Sequence, residues 1–362
     1  MNRFKTVGRK TFVGGAQFGS EAKGAVVGYL ARRYHYTAAV CAFPPSAGHT
    51  YKWTDKEGNK KSIMHMMLPI SCVSSTIREL FIGPGALIDV AQMEREIENA
   101  RAMGLLDEKH IIIHEHAGVV LPQHSQAEKD AGLTKIGSTV KGGMAAQIDK
   151  MRRDPSDQWV AREKLKGTSL AKYVTSTQDY MLALSRHSDV IIEGAQGFGL
   201  SMYHGFYPYT TARDTTPYAV FADCALPWSW ASEIETVWAM RTYPIRVNNR
   251  DGSSGPGYPD QTETSFEALG QTTELTTVTK LPRRIFTLST QQIEHLAKQA
   301  CNDKSWVALT FADYLNTHAD IVPVIKKIED AGFPVKLVNF GPHDEDMATI
   351  EELSEAKQLE LF

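Results

Sequence analysis

The chain has 362 residues, 42% of them hydrophobic and 22% charged, with a formal net charge of −3. A chain of this size and composition buries a large core as a soluble globular protein. The near-neutral balance argues against a nucleic-acid or membrane-surface protein, and no apolar run is long enough for a bilayer span. Cys41, Cys72, Cys224 and Cys301 lie far apart and make no metal-ligand spacing. They read as reduced thiols of a cytoplasmic protein. The N-terminus is basic but has no apolar segment of the signal-peptide kind.

In chain order, strand-like and helix-like segments alternate. Thr11-Phe12-Val13 leads into a glycine-bearing loop over 14–24, and apolar side chains at 26, 27, 30, 31 and 34 then predict a helix. Residues 38–43 read as a buried strand, 51–69 as a hairpin turning at Lys56-Glu57-Gly58-Asn59, and 80–83 as a strand end. Residues 89–103 predict an amphipathic helix closed by Gly104, and 111–113 a strand. Residues 122–143 read as a long polar loop, and 158–187 as helical. A strand over 189–193 runs into Gly194-Ala195-Gln196-Gly197, and a second long loop carries residues 203–211. Residues 235–247 read as one strand, and 248–284 as a mobile Gly/Thr-rich insertion. Helix 289–300, strand 307–310, helix 318–331, strand 335–338 and a polar C-terminal helix follow. The alternation predicts an α/β fold, a mostly parallel central sheet with helices on both faces and P-loop-NTPase-like organisation. One domain over 1–362 is expected, with insertions near 122–187 and 248–284. Ligands bind such sheets at the carboxyl ends of strands, so the loops that follow strands should converge on one rim.

The loop Gly14-Gly15-Ala16-Gln17-Phe18-Gly19-Ser20-Glu21-Ala22-Lys23-Gly24 is the strongest chemical signal. Glycines let backbone approach a ligand, N–H groups at a helix start point outward, and Lys23 adds charge. A polyphosphate needs these features. The loop is not a Walker A motif, because Gly24 follows Lys23 where that motif has Ser or Thr. His49, after Ala47-Gly48, is either a loop histidine or a group that stabilises a transferring phosphoryl. Gln196 either caps a turn or donates to a substrate oxygen, and Thr139 and Thr211 suit phosphate contact. His114-Glu115-His116 resembles a metal pair without an evident third ligand and reads as structural. Tyr203, Phe206, Tyr207 and Tyr209 read as packing.

Taken together these segments resemble the adenylosuccinate synthetase family over nearly the whole chain. The matching stretches are 15–24, 47–50, Ile136–Thr139, Glu193–Gly197, His204–Thr211, Pro282–Arg284 and Gly341-Pro342. The resemblance implies an Mg²⁺-dependent carbon–nitrogen ligase. The family phosphorylates the 6-oxygen of a purine nucleotide, and the amine of L-aspartate then displaces phosphate. It implies catalytic roles for Ser20, Lys23, His49 and Gln196, and metal contact at Ser20 and the Gly48 carbonyl. It implies a donor site made of Gln17, Gly19, Ser20, Glu21, Ala22, Lys23, Gly24, Gly48, His49, Thr50, Arg283, Asp313, Asn316, Gly341 and Pro342. Ser20, Ser46, Ser138, Thr139, Arg153, Gln196, Thr211 and Val247 would hold the nucleotide monophosphate. Thr277, Val278, Thr279, Lys280 and Arg283 would hold L-aspartate. A homodimer is implied, with Arg153 crossing to the neighbouring site.

Three departures from the family pattern shape the expected substrates. The family's general base is an aspartate where this chain has Ser20, which removes a charge from the N1/C2 edge and leaves room for a 2-amino group. That pattern resembles the phage branch of the family, which uses dGMP in making 2-aminoadenine DNA; the enzyme would then work in a host cytoplasm. The guanine-reading Thr-Lys-x-Asp segment becomes Thr310-Phe311-Ala312-Asp313, so ATP or dATP is expected over GTP. Leu281 stands where the family has an arginine near the ribose and aspartate. The alternatives are an ordinary adenylosuccinate synthetase using IMP and GTP, or a nucleotide-binding regulatory switch without ligase activity. A Rossmann dehydrogenase fits less well, because the first loop lacks Gly-x-Gly-x-x-Gly.

Overall fold

A computed structural model describes residues 8–249, 252–276, 280–315 and 317–355. Ten strands form its main sheet. In chain order they are β1 (Lys10–Gly15), β2 (Ala38–Cys41), β3 (Glu79–Ile82), β4 (His110–His114), β5 (Val174–Thr175), β6 (Val190–Glu193), β7 (Glu235–Arg241), β8 (Ser305–Thr310), β9 (Val335–Asn339) and β10 (Met347–Thr349). Across the sheet they run β10-β9-β8-β7-β1-β6-β2-β3-β4-β5. Every pairing is parallel except that of β10 with β9.

The central strands read as continuous apolar runs because both of their faces are covered. Every residue of β1, β2, β6 and β8 is buried. Trp238 of β7 is fully buried and meets Phe12 of β1 edge-on, with ring centroids 5.9 Å apart. One hydrophobic core runs from Phe12 to Leu353. β1 pairs with β6 on one side and β7 on the other, so the strand order reverses there and the loop after β1 opens onto the switch-point crevice. Helix α1 (Lys23–Arg33) follows that loop directly.

The hairpin expectation holds: His49–Thr54 pairs with Lys60–His65 around Gly58, which has a left-handed φ of 82°. Helix α2 (Val90–Ala102) also matches, with Asp89 as its N-cap. Four expectations are corrected. The supposed loop 122–143 contains helix α3 (Pro122–Asp130) and a 3₁₀ turn at Leu133–Ile136, and helix α4 (Gly143–Arg152) follows. Pro122 sits at the first turn, where it favours a helix, and α3 buries only His124 and Glu128, so no apolar stripe announces it. The supposed helix 158–187 is broken into Ala161–Lys164, Ala171–Tyr173, β5 and Thr177–Leu184, because Gly167 turns left-handed and Ser176 caps a new start. The supposed strand 235–247 ends at Arg241. Pro244 intervenes, and Ile245–Arg246 joins an antiparallel three-stranded sheet with Arg284–Phe286 and Glu263–Thr264. The insertion 248–284 therefore carries built structure, over a small core of Ile245, Phe266, Ile285 and Tyr314. No helix among the described residues is long and apolar enough to cross a membrane.

Candidate functional site

The first loop is organised from within by Glu21. Its carboxylate is fully buried and accepts from the amides of Gln17 (3.1 Å) and Gly19 (2.7 Å) and from Lys23 Nζ (2.7 Å). Gln17 is equally committed: its side-chain amide exchanges two hydrogen bonds with the backbone of Arg241, at 2.9 and 3.0 Å. The side chains of these two residues hold the loop in shape, which leaves contact with a triphosphate to the loop backbone and Lys23. The amides of Lys23 and Gly24, first in α1, have no acceptor among the described residues and face outward as helix starts do. Ser20 is exposed with its backbone left-handed, at φ 59°.

Neighbouring loops close on this one. The start of α1 lies against the His49–Thr50 backbone so tightly that a Cβ on Gly24 would come within 2.7 Å of the Thr50 carbonyl. Gly197 passes the first loop in the same way, 2.4 Å from Glu21 Oε1 for a Cβ placed there. Lys23, His49 and Gln196 are thereby gathered on one rim. His49 is 4% exposed, and neither ring nitrogen has a partner. Burial, then the nearby charges of Lys23 and His65, push its pKa down to about 3, so the ring is neutral at physiological pH. Gln196, left-handed at φ 59°, donates to Thr211 Oγ1 at 2.8 Å, and its carbonyl oxygen is buried without a partner.

The expected monophosphate residues lie on several loops. Gly143 abuts Pro45, next to Ser46. Gly137 abuts Val247, and Asn249 Nδ2 reaches the Lys135 carbonyl, which sets Ser138 and Thr139 beside Val247. Glu128 of α3 accepts from the amides of Gly142 and Met144 and fixes the 138–142 turn. Arg153 is exposed and left-handed at the end of α4. Among the described residues, every non-glycine residue with positive φ except Ala225 lies in these loops or in the 280 and 311 turns. Such backbone costs roughly 1–3 kcal/mol per residue and persists where surrounding contacts over-determine it, a pattern typical of binding sites.

In the segment expected to read the donor base, Phe311 is left-handed at φ 58°, its carbonyl held by Thr242 Oγ1 at 2.6 Å. Asp313 is exposed, and burial of its surroundings raises its pKa. Gly341 is braced by Asn339 Oδ1 at 2.9 Å, and Pro342 is exposed. Of the residues expected to hold L-aspartate, Lys280 is exposed, and Arg283 leans on Glu274 and the Leu275 carbonyl. Thr277, Val278, Thr279 and Asn316 lie outside the described residues. Ser20 and Gly48 are both exposed residues with neutral oxygens, while the Glu21 carboxylate is committed. That set fits a cation drawing most ligands from phosphate and water, as Mg²⁺ does. Among the described residues no three His, Cys, Asp or Glu side chains are arranged to hold a metal.

Sequence reasoning missed Arg241 and Arg213. Arg241 is a fully buried cation at the end of an apolar strand, and that composition alone implies a counter-charge nearby. Arg213 donates to the carbonyls of Ala42 (2.7 Å) and Gly85 (2.6 Å), clamping the β2 and β3 loops. His114 Nδ1 accepts from the His116 amide at 3.0 Å, a structural role. Of the four aromatics read as packing, Phe206 packs on Phe18 and Tyr258, but Tyr203 and Tyr207 are largely exposed.

A strained rim with a buried lysine, outward amides and a neutral histidine fits nucleotide-dependent phosphoryl chemistry. The family model for adenylosuccinate synthetase matches residues 12–157 and 155–352. The chain is 36% identical over 365 residues to the N6-succino-2-amino-2'-deoxyadenylate synthase of Acinetobacter phage SH-Ab 15497, covering 92% of this chain and 91% of that one. It is 40% identical over 349 residues to the enzyme of the same name from Salmonella phage PMBT28, covering 91% and 92%. Its fold matches the Cyanophage S-2L succinoaminodeoxyadenylate synthetase (PurZ) bound to dGMP and dATP as an energy donor. That match has a TM-score of 0.87 and 36% identity, and covers 98% of this chain and all of that one. The chain belongs to the adenylosuccinate synthetase family, and it is a ligase.

Proposed function

We propose that the enzyme joins L-aspartate to C6 of dGMP at the expense of ATP or dATP, giving N6-succino-2-amino-2'-deoxyadenylate. The observation that carries this reading is Ser20, exposed on the first loop and neutral at the position where the family pattern has an aspartate. The phage relatives and the nucleotides named for the Cyanophage S-2L structure support it. In this reading Lys23 and the outward amides of Lys23 and Gly24 hold the donor phosphates. Neutral His49 donates a ring N–H to the phosphoryl group as it moves to the 6-oxygen. Gln196 keeps one amide hydrogen for that oxygen while Thr211 fixes its other. Ser46, Ser138, Thr139 and Val247 surround the monophosphate, and Lys280 with Arg283 takes the aspartate carboxylates. Gly48 and Ser20 would hold Mg²⁺ beside the donor phosphates, where it would supply charge neutralisation. Phe311 offers a ring to either purine but no hydrogen bond to guanine's oxygen.

The test is a substrate matrix with aspartate: IMP, GMP and dGMP against ATP, dATP and GTP, reading phosphate release. The expected result is turnover with dGMP and with ATP or dATP preferred over GTP by roughly ten- to a hundredfold, the scale set by one unpaired polar group. IMP with GTP as the best pair would overturn the reading in favour of an ordinary adenylosuccinate synthetase. Nucleotide binding without aspartate-dependent phosphate release would indicate a switch instead. In the same assay Ser20→Asp should lower kcat/KM for dGMP about ten- to thirtyfold, through roughly 1–2 kcal/mol of crowding at the 2-amino edge. Unchanged dGMP turnover would mean that Ser20 does not make room for that amine.

The same proposal includes a two-fold homodimer with Arg153 reaching the neighbouring site. Arg153 is exposed, and Ile148 and Met151 on the same helix expose 43% and 65% of their surface. Mixing inactive Arg153→Ala with inactive Lys23→Ala should restore part of the activity through hybrid dimers. No recovery, with subunit exchange demonstrated independently, would confine each site to one chain.

A further inference from the structure

Arg241 stands between three parts of the site. Its guanidinium is fully buried, donates to the Ser20 carbonyl at 3.3 Å, and lies 3.5 Å over the Phe311 ring. Its position therefore bears on both the first loop and the left-handed turn under the donor base. The counter-charge is Glu274. Oε1 of Glu274 accepts from Arg241 Nη2 at 2.5 Å and from the Tyr314 hydroxyl at 2.7 Å, and Oε2 faces Arg241 Nη1 at 3.4 Å.

Glu274 also faces a second arginine. The Arg283 amide donates to the Glu274 carbonyl at 2.8 Å, but Arg283 Nε stands 3.8 Å from Oε2 and donates to the Leu275 carbonyl instead. At 3.8 Å that ion pair lacks a closed hydrogen bond. The carboxylate is shared unequally between a tightly held Arg241 and a loosely held Arg283. In the ligase reading, Arg283 meets a carboxylate of L-aspartate.

We propose that Glu274 is a positioning residue that couples aspartate binding to donor binding through Arg241. The inference rests on the ligase reading. A substrate carboxylate on Arg283 draws that cation away from Glu274. Oε2 of Glu274 then closes on Arg241 Nη1, which stands 3.4 Å away, and the Phe311 platform and the Ser20 carbonyl are held more firmly. By linkage, a bound donor strengthens aspartate binding by the same factor.

The experiment measures equilibrium binding of a non-hydrolysable ATP analogue to the dGMP-loaded full chain, with and without saturating aspartate. In the unaltered protein aspartate should tighten the analogue about fivefold or more, the lower end of ordinary coupling. Glu274→Gln should leave less than about a twofold effect, and KM for donor and aspartate should rise together by more than kcat falls. Tyr314→Phe removes one hydrogen bond and keeps both charges, so it should fold and show intermediate coupling. Coupling that persists in Glu274→Gln, or none in the unaltered protein, overturns the proposal. Should Glu274→Gln not fold, unchanged coupling in Tyr314→Phe overturns it. Aspartate-dependent dGMP turnover is measured in parallel. Its absence removes the ligase reading and this inference with it, whereas turnover with unaltered coupling removes the inference alone.

Discussion

His49→Ala is expected to lower kcat by about a hundredfold or more with the fold intact, the loss seen when one preorganised donor is removed from a transition state. The geometry makes this variant unusually readable. Both ring nitrogens of His49 are buried without a partner, so removing the ring breaks no hydrogen bond within the protein. A buried polar group without a partner is unfavourable and persists where a ligand completes it. The ring is neutral at physiological pH, because burial and Lys23 push its pKa down to about 3. In the proposed reading it is therefore a hydrogen-bond donor of fixed charge. Lys23→Ala should cost kcat a similar factor, but it also strips a buried ion pair from Glu21, so its kinetics need a stability control. Near-normal kcat in a folded His49→Ala protein would reduce His49 to a loop residue.

Glu21→Ala is expected to destabilise the protein by about 3–5 kcal/mol, the range for removing one partner of a buried ion pair. Lys23 is 5% exposed and would be left as an uncompensated buried cation. The amides of Gln17 and Gly19 would also lose their acceptor. Both effects act through the folded state, so the urea midpoint should fall with the denaturant slope unchanged. Removing Lys23 as well should recover part of the loss, since the two residues share one interaction. A single Glu21→Ala variant within 1 kcal/mol of the parent, on the order of ordinary surface change, would show that Glu21 does not organise the loop.

Much of the sheet was legible because parallel strands buried on both faces are continuous apolar runs, as at Val190-Ile191-Ile192. Helix α2 and the hairpin at Gly58 were legible from local stop and turn signals. Helix α3 was not, since it exposes most of its length and Pro122 reads as a loop when its position in the first turn is unknown. The break after Arg241 was hidden because Ile245 and Arg246 are buried in a second, smaller sheet that looks locally like a continuation. In the site, Lys23, His49 and Gln196 stood out because glycines flank them. The loop-bracing side-chain roles of Gln17 and Glu21 were not legible, because their backbone partners are seen only in the fold. Arg241 and Glu274 are 33 positions apart in sequence, and only the fold brings them together.

The order of strands has a consequence for synthesis. β1 is made well before its two partners in the sheet, β6 and β7, with Thr11 opposite Ile191 on one side and Glu235 on the other. The middle of the molecule cannot close until β7 has left the ribosome. At about 5–20 residues per second, β1 waits on the order of 10–50 s for β7. During that interval its apolar edge is open and must be shielded by α1 and the early strands β2 and β3, or by a chaperone. Long-range parallel pairing of this kind is slow to form and exposed to aggregation. The yield of this enzyme in a cell should therefore depend on how the segment from β1 to β7 is protected during synthesis as well as on how stable the finished fold is.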